Sequence, residues 1–365
     1  MFGVPPSDPA DPVEPFLGIG IDLDATDVRL DDFSLRMTDA RGAETLALTG
    51  GLAGPVRIRG RDVHLPAVVL DAEIATPVAL PLHVEGGLGL VAGGLELNMV
   101  TLRTEHSSLA LDGVVARVET APALGLDIQA HPLGADDITS LAGRPVLERD
   151  LGLSGRLHGG LEALRLDAQV DGGDAGQLEL GAVAGLSATP MSWTIDARTD
   201  ALALDTLLVD VPEPVRLAGV YRVGAVGVDW PDGLDATVHV DGGEQVLWGE
   251  PVAALRLDAH VSGGVVRVQT FEAEHAAGHV TATGELDVPG ETAALDVAVS
   301  VPTLRRLERL GAPPMSGSAR FRGPVQVAWG GDAVVVDARG GLGVSSLDFE
   351  GLEVGRISGP ASLSV

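Results

Sequence analysis

The chain of 365 residues has no cysteine, and all 24 of its Lys/Arg positions are arginine. Without thiols there is no cysteine nucleophile, no disulfide framework and no thiolate metal site. Without lysine there is neither the phosphate-holding lysine of a P-loop nor a Schiff base. Aromatics are scarce, with four Trp, one Tyr and six Phe, which leaves few stacking platforms for saccharides. Positive charge is short as well. Against 24 arginines stand 52 acidic residues, for a formal net charge of −28. That balance argues against nucleic acid, whose phosphates are met by clustered Lys and Arg.

Long hydrophobic runs are missing too. The longest stretch without a charged residue, Leu180–Ile195, is interrupted by Gly181, Gly185 and Pro190. It falls short of the roughly 20 mostly apolar residues of a spanning helix. Residues 1–16 carry Pro5, Pro6, Pro9, Pro12 and Pro15 among Asp8, Asp11 and Glu14. With no basic n-region and no apolar h-region, they read as a flexible leader, not a secretory signal.

What the chain does have is alternation. Hydrophobic residues make up 45 % and the mean hydropathy is +0.25, so apolar residues are interleaved with charge. Leu164-Arg-Leu-Asp-Ala-Gln-Val170 places Leu164, Leu166 and Val170 on one face and Arg165, Asp167 and Gln169 on the other. The same pattern recurs at Leu234–Val240, with Val238, and at Leu255–Val261, with Leu257. Shorter instances are Ile21-Asp-Leu23, Val56-Arg-Ile58, Leu126-Asp-Ile128, Leu178-Glu-Leu180, Trp193-Thr-Ile195 and Val325-Gln-Val327. Side chains alternate faces along a strand, so each segment predicts a strand with one apolar and one wet side. Antiparallel sheets permit such strands, whereas parallel sheets covered on both faces read as continuous apolar runs.

Turns punctuate the pattern at Gly86-Gly87, Gly93-Gly94, Gly159-Gly160, Asp171–Gly173, Asp241–Gly243, Gly263-Gly264 and Gly330-Gly331. A strand and turn every ~10–12 residues predicts about 30 strands. Short helices are expected at Asp136–Leu141, at Leu202–Val209 and at Leu304–Leu310, the last with Leu304, Leu307 and Leu310 at threefold spacing. The order of strand, short helix, Gly-containing strand and Asp-centred strand recurs loosely near residues 126–192, 193–292 and 293–365. Repeats of this kind favour one continuous elongated β-domain over residues 17–365, with each unit leaning on its neighbours.

The stretch Leu102-Arg-Thr-Glu-His-Ser-Ser-Leu-Ala-Leu-Asp-Gly113 and the run from Leu126 to Val170 resemble the repeats of the AsmA-like proteins of Gram-negative envelopes, especially their TamB branch. The resemblance implies an elongated, curved antiparallel sheet forming an open groove, a β-taco. In the periplasm, such a groove carries glycerophospholipid between the inner and outer membranes. It implies phospholipid acyl chains as ligand. It also implies an inner-membrane anchor and an outer-membrane β-barrel as partners through flanking segments. The groove would be lined by Leu126, Ile128, Leu164, Leu166, Val170, Trp193, Ile195, Leu234, Val238 and Val240. Leu255, Leu257, Val261, Val325, Val327 and Trp329 would complete it.

Catalytic and metal-binding constellations are few. Gly152-Leu-Ser-Gly-Arg156 is one residue short of a nucleophile elbow, and Ser154 reads as a strand residue that recurs as Ser316. His275 and His279 have helical ligand spacing, yet Gly278 and the strand-like Val280-Thr-Ala-Thr argue against a helix. Asp22, Asp24 and Asp27 lack the glycine and glutamate of a Ca²⁺ loop and read as a wet strand face. The expectation is a non-enzymatic chain with no cofactor and no metal. The remaining feature is the apolar face, which needs a cover: a second sheet, the same sheet curled on itself, or a ligand. By pattern alone a closed sandwich or barrel core uses the same residues, and the resemblance points to the open groove. Two other functions fit an all-β chain. One is a scaffold that helps insert outer-membrane or autotransported proteins, and the other is an extracellular adhesin with a closed core.

Overall fold

A computed structural model describes residues 22–38, 44–60, 62–76, 79–91, 93–116, 121–229, 231–310, 313–330, 334–349 and 352–364. The expected leader, Ile21 and Gly331 lie outside these residues. The chain is nearly all strand, and among the described residues every pairing is antiparallel. It divides into two compact units between Gly143 and Arg144.

The first unit contains β1 (Leu23–Thr38), β2 (Glu44–Arg59), β3 (Asp62–Thr76) and β4 (Leu80–Val91). These are followed by β5 (Gly94–Arg103), β6 (Ser108–Ala116), β7 (Ala123–Leu133) and the helix α1 (Ala135–Ala142). Each strand pairs with the next, a plain meander.

The second unit opens with β8 (Leu151–Gly160), β9 (Leu164–Asp171), β10 (Gln177–Gly185) and β11 (Ser192–Ala203), then the single turn α2 (Leu204–Leu207). It continues through β12 (Arg216–Val226), β13 (Asp235–Gly242), β14 (Gln245–Leu247), β15 (Glu250–Ser262) and β16 (Val265–His275). The last strands are β17 (Gly278–Asp287), β18 (Thr292–Val301), β19 (Met315–Ala328), β20 (Val335–Phe349) and β21 (Leu352–Ser364). Pairing is again sequential except at β14. This short strand extends the ladder beyond the end of β13, bonding β12 on one side and β15 on the other.

The strands number 21 among the described residues, fewer than the turn spacing predicts, because many are long. β1 and β2 have 16 residues each and β3 has 15. Bulges let a strand run on where a turn was expected. Gly86-Gly87 is not a turn but lies inside β4, with Gly86 at φ 146 where the register shifts against both β3 and β5. Such shifts recur along both units and bend the strands they interrupt. Gly263-Gly264, at φ 56 and 77, does make the tight hairpin between β15 and β16.

All three expected helical segments are present. α1 ends at Gly143, whose φ of 70 is the left-handed stop that glycine supplies. Leu304–Leu310 is a 3-10 helix, and its threefold leucine spacing matches three residues per turn. The helical pieces sit at strand ends. In the second unit Ala175, Leu202 and Leu207 are buried together there, against Leu151, Leu178 and Leu208.

Candidate functional site

Residues directly opposite one another in an antiparallel pair share a face of the sheet. Following register across the second unit gives one unbroken row. It runs Leu157–Leu166–Ala182–Ile195–Val223–Val238–Ala259, then Val268–Gly284–Leu295–Val325–Ala338–Leu363. No polar side chain enters it. A second row beside it runs Leu164–Ala184–Trp193–Ala225–Ala236–Val261–Val266–Leu286–Ala293–Val327–Val336. At ~4.8 Å between strands the first row covers roughly 55–60 Å along the sheet surface. The first unit has its own row, Leu30–Leu52–Leu70–Val84–Leu102–Leu109–Ala130.

The residues predicted to line a groove fall on these faces. Leu126 and Ile128 belong to the first unit, opposite Gly113 and Leu111, with Leu126 buried. Leu164, Leu166 and Val170 in β9 are half-buried, and so are Val238 and Val240 in β13 and Leu255, Leu257 and Val261 in β15. Val325 and Val327 in β19 are also half-buried. Leu234 just precedes β13 and Trp329 just follows β19. Ile195 is the most open of the set at 37 % exposure. Trp193 is half-buried and its Nε1–H donates to the Gly227 carbonyl at 3.1 Å, which fixes the indole.

Burial differs between the two faces. Polar-face residues of β9 are exposed, whereas their apolar neighbours are half-buried. Within the rows of the second unit the fully buried side chains are alanines, Ala225, Ala236, Ala259 and Ala293, hemmed in by larger neighbours. The large side chains keep part of their surface, which a closed core would remove.

Period-two reading found part of this face and missed the rest. Phe271 and most of the first unit escaped it because bulges reverse the phase within a strand, whereas Leu295 and Phe321 lie in regular stretches of β18 and β19 and were simply not singled out. In β5 the inward residues are Leu95 and Leu97, then Val100 and Leu102. Met99 takes up the extra step at φ 49 and is 74 % exposed. In β3 they are Val63 and Leu65, then Val68 and Leu70. The available signal was a glycine on the partner strand, Gly86 or Gly113, each with positive φ.

The other face is a lattice of cross-strand arginine–carboxylate ion pairs and histidine–carboxylate hydrogen bonds. Asp196 meets Arg222 at 3.0 Å, His239 meets Asp258 at 2.5 Å and Arg267 meets Glu285 at 2.8 Å. In the first unit His83 lies between Asp71, at 2.5 Å from Nδ1, and Glu85, at 3.0 Å from Nε2. Arg103 holds the far side of Glu85 at 3.1 Å. Hydrogen bonds to Asp71 and then Glu85 raise the His83 pKa above the ordinary histidine value, and the bond to His83 lowers that of Glu85.

The motifs considered for chemistry are accounted for locally. Ser154 is exposed on β8, opposite Gln169. His275 pairs with Gly278 and His279 with Glu274, so the two histidines project to opposite faces of one hairpin. Asp24 is held by Arg57 and Arg59 at 3.6 and 3.5 Å, and Asp27 by Arg29 at 3.7 Å. Among the described residues no three His, Asp or Glu side chains converge as metal ligands. A buried carboxylate that sequence reading did not single out is Asp137 on α1. It accepts hydrogen bonds from the hydroxyls of Thr104 and Ser107, and the Ser107 Oγ accepts from Gly134 N–H at 2.9 Å. This knot ties α1 to the β5–β6 turn, and the Ser107 proton is committed to a carboxylate, not to a histidine base.

Compared with known proteins, the chain matches no family model, no curated protein and no solved structure. Among the described residues no helix is long and apolar enough to cross a membrane.

Proposed function

We propose that this chain is a non-enzymatic groove segment of AsmA/TamB-like type, which carries glycerophospholipids across a Gram-negative periplasm by lining their path with an apolar sheet face. The observation that supports it is the unbroken apolar row of the second unit, from Leu157 to Leu363, whose large side chains keep part of their surface. Uncovered aliphatic area of this extent marks a ligand or partner surface. Its makeup suits acyl chains, which are fluid and featureless and ask for neither stacking nor hydrogen bonds. The ionic lattice on the opposite face keeps that side solvated. An inner-membrane anchor and an outer-membrane barrel are the partners this reading calls for. The test is purification of the full chain without detergent, followed by lipid mass spectrometry. Stoichiometric phospholipid is expected, and a lipid-free chain overturns the reading.

A second reading rests on a different observation. Among the described residues β21 is paired along one side alone, with β20, so its other edge offers unbonded backbone groups. An outer-membrane or autotransported protein strand could add there by β-augmentation. Site-specific crosslinks from Leu352–Ser364 to substrate strands separate this reading from lipid carriage.

A further inference from the structure

The two ends of the second unit's strands are finished differently. One end holds the connections that carry α2 and the 3-10 helix Leu304–Leu310, and Leu207 and Leu304 are buried there. Among the described residues of that end's connections, Trp248 in the β14–β15 turn is the only large apolar side chain left exposed. At the other end lie the connections β8–β9, β10–β11, β12–β13, β15–β16, β17–β18 and β19–β20, with no helix among their described residues. In or beside them Leu161, Leu186, Val226, Val228, Val288 and Val334 are 37–60 % exposed.

These side chains form a line, because each loop touches the next. The Leu161 carbonyl accepts from Leu186 N–H at 2.7 Å and the Met191 carbonyl from Gly227 N–H at 2.8 Å. Gly264 is wedged between two prolines, since a Cβ there would lie 3.0 Å from Pro231 and 2.6 Å from Pro289. The Gly264 carbonyl accepts from Val288 N–H at 3.1 Å and the Glu291 carbonyl from Trp329 N–H at 2.9 Å. The line crosses ten strand spacings, or about 50 Å. Contiguous apolar surface of this kind marks an interaction site, which scattered exposed side chains do not. Its charge is of one sign. None of the six connections contains an arginine, and Glu162, Asp229, Asp232 and Glu291 are exposed among the apolar tips.

We propose that this rim docks a polypeptide segment of another protein, one that carries apolar and basic side chains together. The segment's apolar side chains cover the Leu and Val tips, and its Lys or Arg residues meet the four carboxylates. Complementary charge selects such a partner, and like charge turns away a second copy of the same acidic rim. A flat membrane meets less of the line. Neighbouring strands rotate by ~20° each, so strand direction turns by roughly 200° from one end of the line to the other. A plane then reaches only adjacent tips, whereas a chain segment can follow the curve. The proposal does not depend on lipid filling the apolar rows.

The test is fluorescence anisotropy of two labelled amphipathic peptides with the same leucine spacing, titrated with the full chain. One peptide has lysine at its polar positions and the other glutamate. Saturable binding of the leucine–lysine peptide is expected, at least tenfold tighter than that of its glutamate counterpart. V228S/V288S keeps every charge and should weaken binding at least tenfold. Trp248→Ser removes exposed apolar surface at the opposite end and should bind as the parent does, which separates the rim from attraction to the net charge of −28. E162Q/E291Q keeps the apolar tips and should bind with a shallower salt dependence. If V228S/V288S does not fold, L161S/L186S carries the comparison. Parental affinity in the folded rim variants, equal binding of the two peptides, an unchanged salt response in E162Q/E291Q or no saturable binding overturns the proposal. So do two other occupants. Sedimentation with phosphatidylethanolamine–phosphatidylglycerol vesicles, without peptide binding and lost in V228S/V288S, assigns a membrane, and dimers lost in the same variant assign a second copy.

Discussion

Placing a carboxylate in the middle of the long apolar row separates a lipid-lining face from one that is merely structural. In Leu166→Asp the new side chain stands between Leu157 and Ala182. Leu166 is half-buried, so the fold loses about half of the 1.5–3 kcal/mol that full burial of a leucine contributes, near 1 kcal/mol. Water reaches the carboxylate in the lipid-free chain, and the backbone ladders to β8 and β10 are untouched. With an acyl chain in place the balance differs. Two or three methylenes lose an apolar contact at ~0.8 kcal/mol each. A carboxyl pressed against hydrocarbon gives up its charge and, as an unpaired polar group, still costs about 1–3 kcal/mol more. The total of about 3–5 kcal/mol corresponds to a loss of local occupancy of roughly a hundredfold or greater. Phospholipid per chain, measured by mass spectrometry after detergent-free purification, should fall to near background while the circular dichroism stays that of a β-protein. Thr194→Asp, on the exposed face of β11, is the matched control and should retain lipid. A folded Leu166→Asp chain with the parental lipid content would refute the reasoning, as would equal loss in both variants.

Three further outcomes follow from the same geometry. Asp137→Ala removes a buried acceptor of two hydroxyls and should destabilise the first unit by about 3 kcal/mol. Hydrogen exchange would register this as lost protection in α1 and the β5–β6 hairpin, and unchanged protection would contradict it. The raised His83 pKa means that its ion pairs with Asp71 and Glu85 stabilise the fold fully below about pH 6.5, and that this contribution fades as pH rises through the folded value. NMR titration of the imidazole should give a midpoint above the ordinary histidine value, and His83→Gln should remove this pH dependence. Gly113→Ala should destabilise strongly, because φ is 137 and the added methyl would press on the Gly125 carbonyl oxygen. Denaturant unfolding that leaves its midpoint unchanged would show that the bulge adapts.

Period-two alternation is a local property, so the chain alone determined that strands dominate and, where no bulge intervenes, which side of a strand is apolar. Leu164–Val170 and Leu255–Val261 fall inside β9 and β15 with the faces expected. The short helices were legible for the same reason, since glycine and proline stops and threefold leucine spacing act within one turn. Tertiary structure decided what happens between strands. Bulges at Met99 in β5 and opposite Gly86 in β3 reverse the phase of alternation, and only the partner strand shows which residues then face inward. The continuity of the apolar rows depends on register across more than a dozen strands. Thr104 and Ser107 find Asp137 across 33 and 30 positions. Hydrogen-bond register is a relation between strands, and a pattern read along one strand carries no record of its partner.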